Sequence, residues 1–392
     1  MCIADHINMS IFNSIYNTQV QQIDFWREES TLSWKYPKSP IKYQGILTFK
    51  QQNSSNLTTQ VNFSSKYLYY ANNSNIYVSD ISWSLIEGFK EESDTIRYGF
   101  RIKKSKTEIL DFYTENSSEL DEWIEALASV VVLQNFDDNY IIIKKIKEYW
   151  NSKIYLCQDL ISMKNFTVKQ VSKIQLLNYK ELHLLYNEIS IMRKLDHENI
   201  AKVFRVFEDE SFVFIVMECL AFKSLEDWNL KLNKNDIILF SKQILNALSY
   251  LHCKKVMHRG LKADCIMIDS ASEIINFKIT GFRFSCIMNR SKPFKINKFE
   301  EFFSKGLNIR SLSYKKDIYD AGVVLLNLIL LPNQKQKNSI WFRNSNNNDL
   351  SLKPIKKKVN KAGIDLISSL LSVNSSDRPT ALEAIDHKWF DI

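Results

Sequence analysis

Val256-Met257-His258-Arg259-Gly260, continuing as Leu261-Lys262-Ala263-Asp264-Cys265, is the stretch on which the reading of this chain turns. It directly follows a run with helical periodicity, Lys234–His252. Downstream come Gly281-Phe282-Arg283 and then Asp317-Ile318-Tyr319 with Gly322, at the start of a second helical run, Lys316–Leu331. Upstream, Phe166-Thr167-Val168-Lys169 lies in a strand-like run, Asn187-Glu188-Ile189 in a helical one (Tyr179–Leu195), and Met217-Glu218-Cys219-Leu220 closes the strand-like run Phe212–Met217. Strand-like runs Tyr140–Ile146 and Ile154–Gln158 precede these, and helical runs Ala362–Leu371 and Thr380–Asp386 end the chain. A small sheet with one helix followed by a mainly helical lobe is a bilobal α+β arrangement.

Composition narrows the chemistry. Only 8 of 392 residues are glycine, Gly260 and Gly281 among them, against an average near ~7%. No two lie close together, so neither a dinucleotide fingerprint nor a P-loop is present. The net charge is +8, from 52 basic and 44 acidic residues, and the excess sits in 134–392. That bias reads as a solvated basic face, and no nucleic-acid partner is expected. The six cysteines form no CxxC pair and have no zinc spacing to histidine, so reduced thiols of an intracellular protein and no metal site are expected. The start lacks the pattern of a signal peptide, and Cys2 stands where myristoylation needs glycine. The longest apolar run, Ala321 to Leu331, contains Asn327 and is too short to span a bilayer.

Four segments are expected. Residues 1–40 carry a helical pattern (Phe12, Ile15, Tyr16, Val20, Ile23, Trp26) ended by Pro37 and Pro40. Residues 41–133 alternate strand-like runs with Asn/Ser turns: Gly45–Phe49, Gln60–Phe63, Tyr67–Ala71, Asn75–Ile81, Tyr98–Lys103 and Glu108–Thr114. One helix follows, with Ser117 or Ser118 as its cap and an apolar face of Leu120, Trp123, Ile124, Leu127 and Val131. A meander closed by one amphipathic helix suggests a small barrel with a helical plug. This segment resembles a pleckstrin homology (PH) domain, through the single helical Trp123 and Tyr67-Leu68-Tyr69-Tyr70 in the third strand. The resemblance implies a lipid headgroup candidate at Lys50. The second strand, Thr59-Gln60-Val61-Asn62-Phe63, has no arginine and the segment is net negative. Weak or no phosphoinositide binding is therefore expected. Residues 134–139 read as a linker to 140–392, with a small lobe to about 220 and a large lobe from 221.

Residues 140–392 resemble a protein kinase domain of the calmodulin-dependent serine/threonine group, supported also by Leu195-Asp196-His197-Glu198-Asn199-Ile200 and His387-Lys388-Trp389-Phe390. The resemblance implies that Lys169 is the phosphate-facing lysine and Glu188 its partner. It also implies that Glu218 and Leu220 belong to the hinge, and that Ile154, Thr167 and Met267 sandwich an adenine. His258, Arg259, Lys262, Phe282, Asp317, Gly322 and Arg378 stand at architectural positions, with Met192, His258 and Phe282 able to stack as a column. The family's glycine-rich loop aligns with Lys147-Glu148-Tyr149-Trp150-Asn151-Ser152, which has no glycine, and Tyr149 and Trp150 are candidates to fill the cleft instead.

Where the resemblance places the catalytic aspartate, the metal-binding asparagine and the metal-binding aspartate, the chain has Gly260, Cys265 and Gly281. Glycine can neither take a proton nor chelate through a side chain, and sulfur is a poor ligand for magnesium. Asp264 is the residue a register shift would offer to a cation. No Ala-Pro-Glu segment is recognisable near Phe303-Ser304-Lys305, which leaves Arg378 without its usual glutamate. The stretch Arg283–Lys305 reads as a docking surface or an apolar-anchored loop, with Ser291 a phosphorylation opportunity.

The expectation is therefore a pseudokinase: a PH-like module joined to a kinase-shaped adaptor that acts on a protein partner such as an active kinase. An active serine/threonine kinase with non-standard residues and a membrane-recruited lipid reader are the alternatives. No cofactor is expected, with ATP bound without divalent metal as the alternative. The expected location is the cytoplasm, with peripheral membrane attachment as the variant.

Overall fold

A computed structural model describes residues 11–12, 25–30, 39–50, 56–72, 75–92, 96–105, 108–176, 178–220, 223–227, 233–269, 276–288, 314–330, 355 and 358–391. These form two units, one of residues 1–183 and 203–218, the other of 184–202 and 219–392.

The first unit is a β structure. Its strands are β1 (Arg27–Ser30), β2 (Tyr43–Lys50), β3 (Asn56–Ser64), β4 (Tyr67–Asn72), β5 (Asn75–Asp80), β6 (Leu85–Glu92), β7 (Ile96–Lys103) and β8 (Ile109–Thr114). After helix α1 (Ser117–Leu127) come β9 (Val132–Leu133), α2 (Phe136–Asn139), β10 (Tyr140–Tyr149), β11 (Ser152–Asp159) and β12 (Asn165–Ser172). Then come α3 (Lys173–Leu176) and α4 (Tyr179–Met192), which runs on into the second unit, and β13 (Val203–Glu208) and β14 (Phe212–Glu218).

Alternation explains the strands. Leu47 and Phe49 on β2, Val61 and Phe63 on β3, and Leu68 and Tyr70 on β4 are all fully buried, with less buried residues between them. On α1, Leu120, Trp123 and Leu127 turn inward and Ile124 packs against the same core. The cap is Asn116 rather than Ser117 or Ser118: its Oδ1 accepts the Glu119 amide at 2.9 Å, and both serines are already helical. Val131 is buried but lies beyond the helix end.

The sheet does not stop at residue 133. Its order is β1-β5-β4-β3-β2-β8-β7-β6-β9-β13-β14-β12-β11-β10. The short β9 runs parallel to β6 (Leu85↔Val132, Ile86↔Leu133) on one side and to β13 (Phe207↔Leu133) on the other. The stretch 134–139, expected to be a linker, carries α2, whose Phe136 is buried and stacks on Phe214 with ring centroids 4.3 Å apart. One apolar core runs from Leu47, Phe63 and Trp123 through Leu133 and Phe136 to Val168, Phe207 and Val216. Polar contacts reinforce the junction, with Arg205 on β13 paired to Glu125 and donating, at 3.3 Å, to the Tyr140 hydroxyl.

Several elements differ from expectation. The strands β1, β6 and β13 were not anticipated, and β10 extends to Tyr149. Of the helical pattern expected in residues 1–40, Ile11 and Phe12 form a turn and Arg27–Ser30 a strand; most of the rest lies outside the described residues.

The second unit is mainly helical: α5 (Lys234–Cys253), α6 (Tyr314–Leu330), α7 (Lys361–Leu370) and α8 (Ala381–Ile385). Capping boxes start two of them, Asn233 with Asp236 and Thr380 with Glu383. Small strands β15 (Lys223–Ser224), β17 (Ile266–Asp269) and β18 (Asn276–Ile279) form one sheet, and β16 (Val256–Met257) pairs with β19 (Cys286–Ile287). The whole is an α+β fold. Among the described residues no helix is long and apolar enough to cross a membrane, which says nothing of a β-barrel.

Candidate active site

In the second unit the loop after β16 is held from below by α6. The Asp317 carboxylate accepts the amide of His258 at 2.9 Å and that of Arg259 at 2.8 Å, and lies 3.1 Å from His252 Nε2. Burial alone would raise its pKa, but the His252 hydrogen bond and the Arg259 amide hold it below the usual carboxylate range. So anchored, Arg259 adopts a left-handed conformation (φ 65°). The His258 ring is fully buried, sits 3.0 Å from the Thr280 carbonyl and meets the Phe282 ring edge-on at 4.9 Å. Burial pushes its pKa down, so the ring is neutral and Nε2–H donates to Thr280. Two links of the expected column, His258 and Phe282, are thus in contact.

Gly260, Cys265 and Gly281 lie together. The Cys265 thiol donates to the Gly260 carbonyl at 3.5 Å. A Cβ on residue 281 would stand 2.8 Å from Cys265 Sγ. Gly281 has φ +83°, in the left-handed region that side chains disfavour, so glycine is needed here on two counts. Cys265 is only 7% exposed, and burial pushes its thiol up to about 11, with Glu188 among the lesser contributors. Sulfur therefore stays protonated and apolar at this spot. Asp264 pairs with Lys262 at 3.3 Å. Among the described residues no three His, Cys, Asp or Glu side chains group to hold a metal ion. Glycine offers no side-chain ligand, and a protonated thiol is a poor one for a hard cation.

A staple that the sequence did not reveal lies beside them. Asn187 of α4 donates to the Ser285 carbonyl at 2.6 Å, and Ser285 Oγ donates to the His258 carbonyl at 3.1 Å. Glu188, one residue on, is 4% exposed. Met267 lies on β17, opposite Lys278, and Leu220 is buried. Gly322 lets α6 approach the end of α7, because a Cβ there would stand 2.8 Å from Leu371. Arg378 bonds the carbonyls of Ser372 (2.8 Å), Lys315 (3.0 Å) and Val373 (3.3 Å) and stacks over Tyr319. It thus has partners without a glutamate. Ser291 and Phe303-Ser304-Lys305 lie outside the described residues, as does the Arg283–Lys305 stretch beyond residue 288.

In the first unit, Lys169 on β12 is directly opposite Ile154 on β11 and Ile215 on β14, and Thr167 is opposite Met217. Side chains two apart on a strand share a face, so Ile154, Thr167, Lys169 and Met217 line one side of the sheet. Glu218 ends β14, opposite Phe166. The tip of the β10–β11 hairpin carries Tyr149 and Trp150. Trp150 is 72% exposed and Tyr149 38% exposed. Lys50, at the end of β2, is exposed opposite Asn56. Trp123 is fully buried.

Comparison with known proteins agrees with this geometry. Residues 140–390 match the protein kinase domain, and the chain belongs to that family. It is 27% identical over 334 residues to a probable serine/threonine-protein kinase 2 of Plasmodium falciparum, covering 79% of this chain and 64% of that one. Calcium-dependent protein kinase 4 of Plasmodium falciparum is also 27% identical over 334 residues, with 80% and 61% covered. The cell cycle serine/threonine-protein kinase CDC5/MSD2 of Saccharomyces cerevisiae is 28% identical over 235 residues, with 57% and 33% covered. The chain thus spans less than two thirds of the length of each of these relatives.

Proposed function

We propose that this chain is a catalytically impaired protein kinase-like signalling protein that works as an adaptor or allosteric partner of another protein, such as an active kinase. The observation that carries the reading is the packing of the protonated Cys265 thiol against Gly260 and Gly281, at the three positions where the family resemblance puts metal and hydroxyl ligands. General-base help contributes about 10²–10⁴ in rate, and metal neutralisation several kcal/mol more. Losing both removes most of the acceleration. The architecture survives: Asp317 still orders the loop and His258 still meets Phe282. A protein selected as a shape rather than a catalyst keeps those residues and drops the others.

A second reading is an active serine/threonine kinase with unusual residues, favoured by relatives whose names are those of kinases. Purified full-length chain incubated with ATP, magnesium or manganese and a generic substrate separates the two. The adaptor reading expects no transfer above background; robust transfer that Lys169→Ala abolishes would establish the kinase. Thermal shift with ATP is expected to give no cation-dependent stabilisation. Metal-free binding, through Ile154, Thr167 and Lys169 with Met267, Glu218 and Leu220, is the form nucleotide recognition would take.

The N-terminal β region is read as PH-like. Support comes from the antiparallel meanders β2–β5 and β6–β8, their β2–β8 pairing, and the α1 helix with its buried Trp123. Lys50 alone offers poor phosphate recognition, so liposome sedimentation is expected to show weak or no headgroup-specific binding. Cytoplasmic residence, with peripheral membrane attachment as the variant, completes this reading.

A further inference from the structure

The first unit holds a buried carboxylate with no part in the site above. Glu208, on β13, is 3% exposed. Its Oε1 accepts from the Lys173 ammonium at 2.7 Å and from the backbone amide of Ile11 at 2.8 Å. Next to Ile11, the Phe12 ring is fully buried and lies 4.8 Å from the Trp83 ring. Trp83 is itself fixed, with φ 62° and its amide donating to the Val130 carbonyl at 2.9 Å. Ile11 is 5% exposed. Two residues from near the start of the chain are therefore wedged where β6, β9 and β13 meet, and the amide of one of them, Ile11, shares the Glu208 oxygen with Lys173.

Lys173 is a consequential partner. It is the first residue of α3, directly after β12, four positions past Lys169. Its amide donates to the Ser211 carbonyl at 2.8 Å. From α3 the chain passes into α4, the helix that carries Asn187 and Glu188. Burying a charge requires that it be paired and hydrogen-bonded. Remove the Ile11 amide, and the Glu208 oxygen loses a donor that it holds together with Lys173.

We propose that Ile11–Phe12 is an intramolecular strap: it seats against Trp83 and, through Glu208 and Lys173, fixes the connection between β12 and α4. A partner or a cleavage that withdraws the N-terminal segment would thereby loosen the start of α4. The inference does not depend on whether the site transfers phosphate.

Hydrogen exchange of the full-length chain, resolved by peptide, tests this. Phe12→Ala removes the wedge. Ile11→Pro removes the amide donor while keeping an apolar residue. In both variants, exchange is expected to rise about tenfold or more in peptides covering 80–86 and 165–183, and to stay unchanged in 234–253. Phe63→Leu, in the same core but away from the strap, is expected to leave 165–183 at parental rates. Three results would overturn the strap: 165–183 unchanged in both strap variants, an equal rise across the whole chain, or the same rise at 165–183 in Phe63→Leu.

Discussion

Residue 281 and residue 265 are fitted to one another. Any side chain at 281 meets the Cys265 sulfur and must also accept a positive φ. Gly281→Ala is expected to destabilise the fold by about 1–3 kcal/mol. Cys265→Ala should relieve the steric part but not the backbone part. A double-mutant cycle in urea should then give a coupling of about 1 kcal/mol. Strict additivity would show that the two do not touch. Asp320 gives a second residue-level expectation. Burial pushes its carboxyl up to about 6, against the attraction of Lys316 and with the repulsion of Asp317. One of its oxygens finds no hydrogen-bond donor among the described residues. A carboxyl with a folded pKa above its unfolded value prefers the protonated fold. Its contribution is full below about pH 4, is lost as the pH rises to about 6, and stays lost above that. Asp320→Asn should therefore be more stable than the parent at pH 8, by on the order of 2–3 kcal/mol less what Lys316 gives up. The gap should close near pH 4. A constant difference across that range would contradict the assignment.

At the scale of elements, the loop after β16 owes its shape to the first turn of α6. Asp317→Ala would leave the amides of His258 and Arg259 without their acceptor, in a place water does not reach. A loss of about 3 kcal/mol is expected, with Asp317→Asn recovering part of it. Because the Asp317 pKa is depressed, its contribution is present above about pH 4 and fades as the pH falls through the folded value. Urea titrations of the parent at pH 7 and pH 3 should show this, and Asp317→Ala should lack that component. Elements like α5 are legible in sequence because a capping signal and a 3.6 period are local. So are β2 to β4, whose inward residues alternate. β6 is not: only Leu85 and Ile86 of its eight residues are buried, and its tail of Lys90, Glu91 and Glu92 looks like a solvated turn. Residues 134–139 hide for the opposite reason. Their Asn and Asp content reads as a linker, and only the tertiary stacking of Phe136 on Phe214 gives them a place. The Cys265–Gly281 contact and the Asn187–Ser285 bond are equally silent, since both join residues far apart along the chain and neither leaves a local pattern. The family motifs located the candidate site, while its thiol packing became visible only in three dimensions.

For the whole molecule, the decisive fact is that β9 joins two sets of strands in one sheet over one core. A tethered module would allow residues 140–392 to be cut away intact. Here the cut removes β6 and β9 from beside β13 and strips Phe136 from Phe214, along with the Glu125 partner of Arg205. Each large apolar side chain laid bare forfeits about 1.5–3 kcal/mol, and an uncovered β13 edge invites pairing with other chains. A whole domain has only about 5–15 kcal/mol in hand, so several such losses suffice to unfold the strands that remain. The fragment 140–392 is therefore expected to aggregate or to melt far below the full chain. In the full chain, Leu133→Asp should lower the unfolding transition of β2–β8 and of β10–β14 together, as followed by hydrogen exchange in both. If instead the fragment were monomeric and melted at the parental temperature, the N-terminal β region would be an appendage and the shared core an incidental contact. That outcome would also remove the mechanical basis for any signal passing from the N-terminal region into β12 and α4, since a strap can only hold what the sheet beneath it keeps in register.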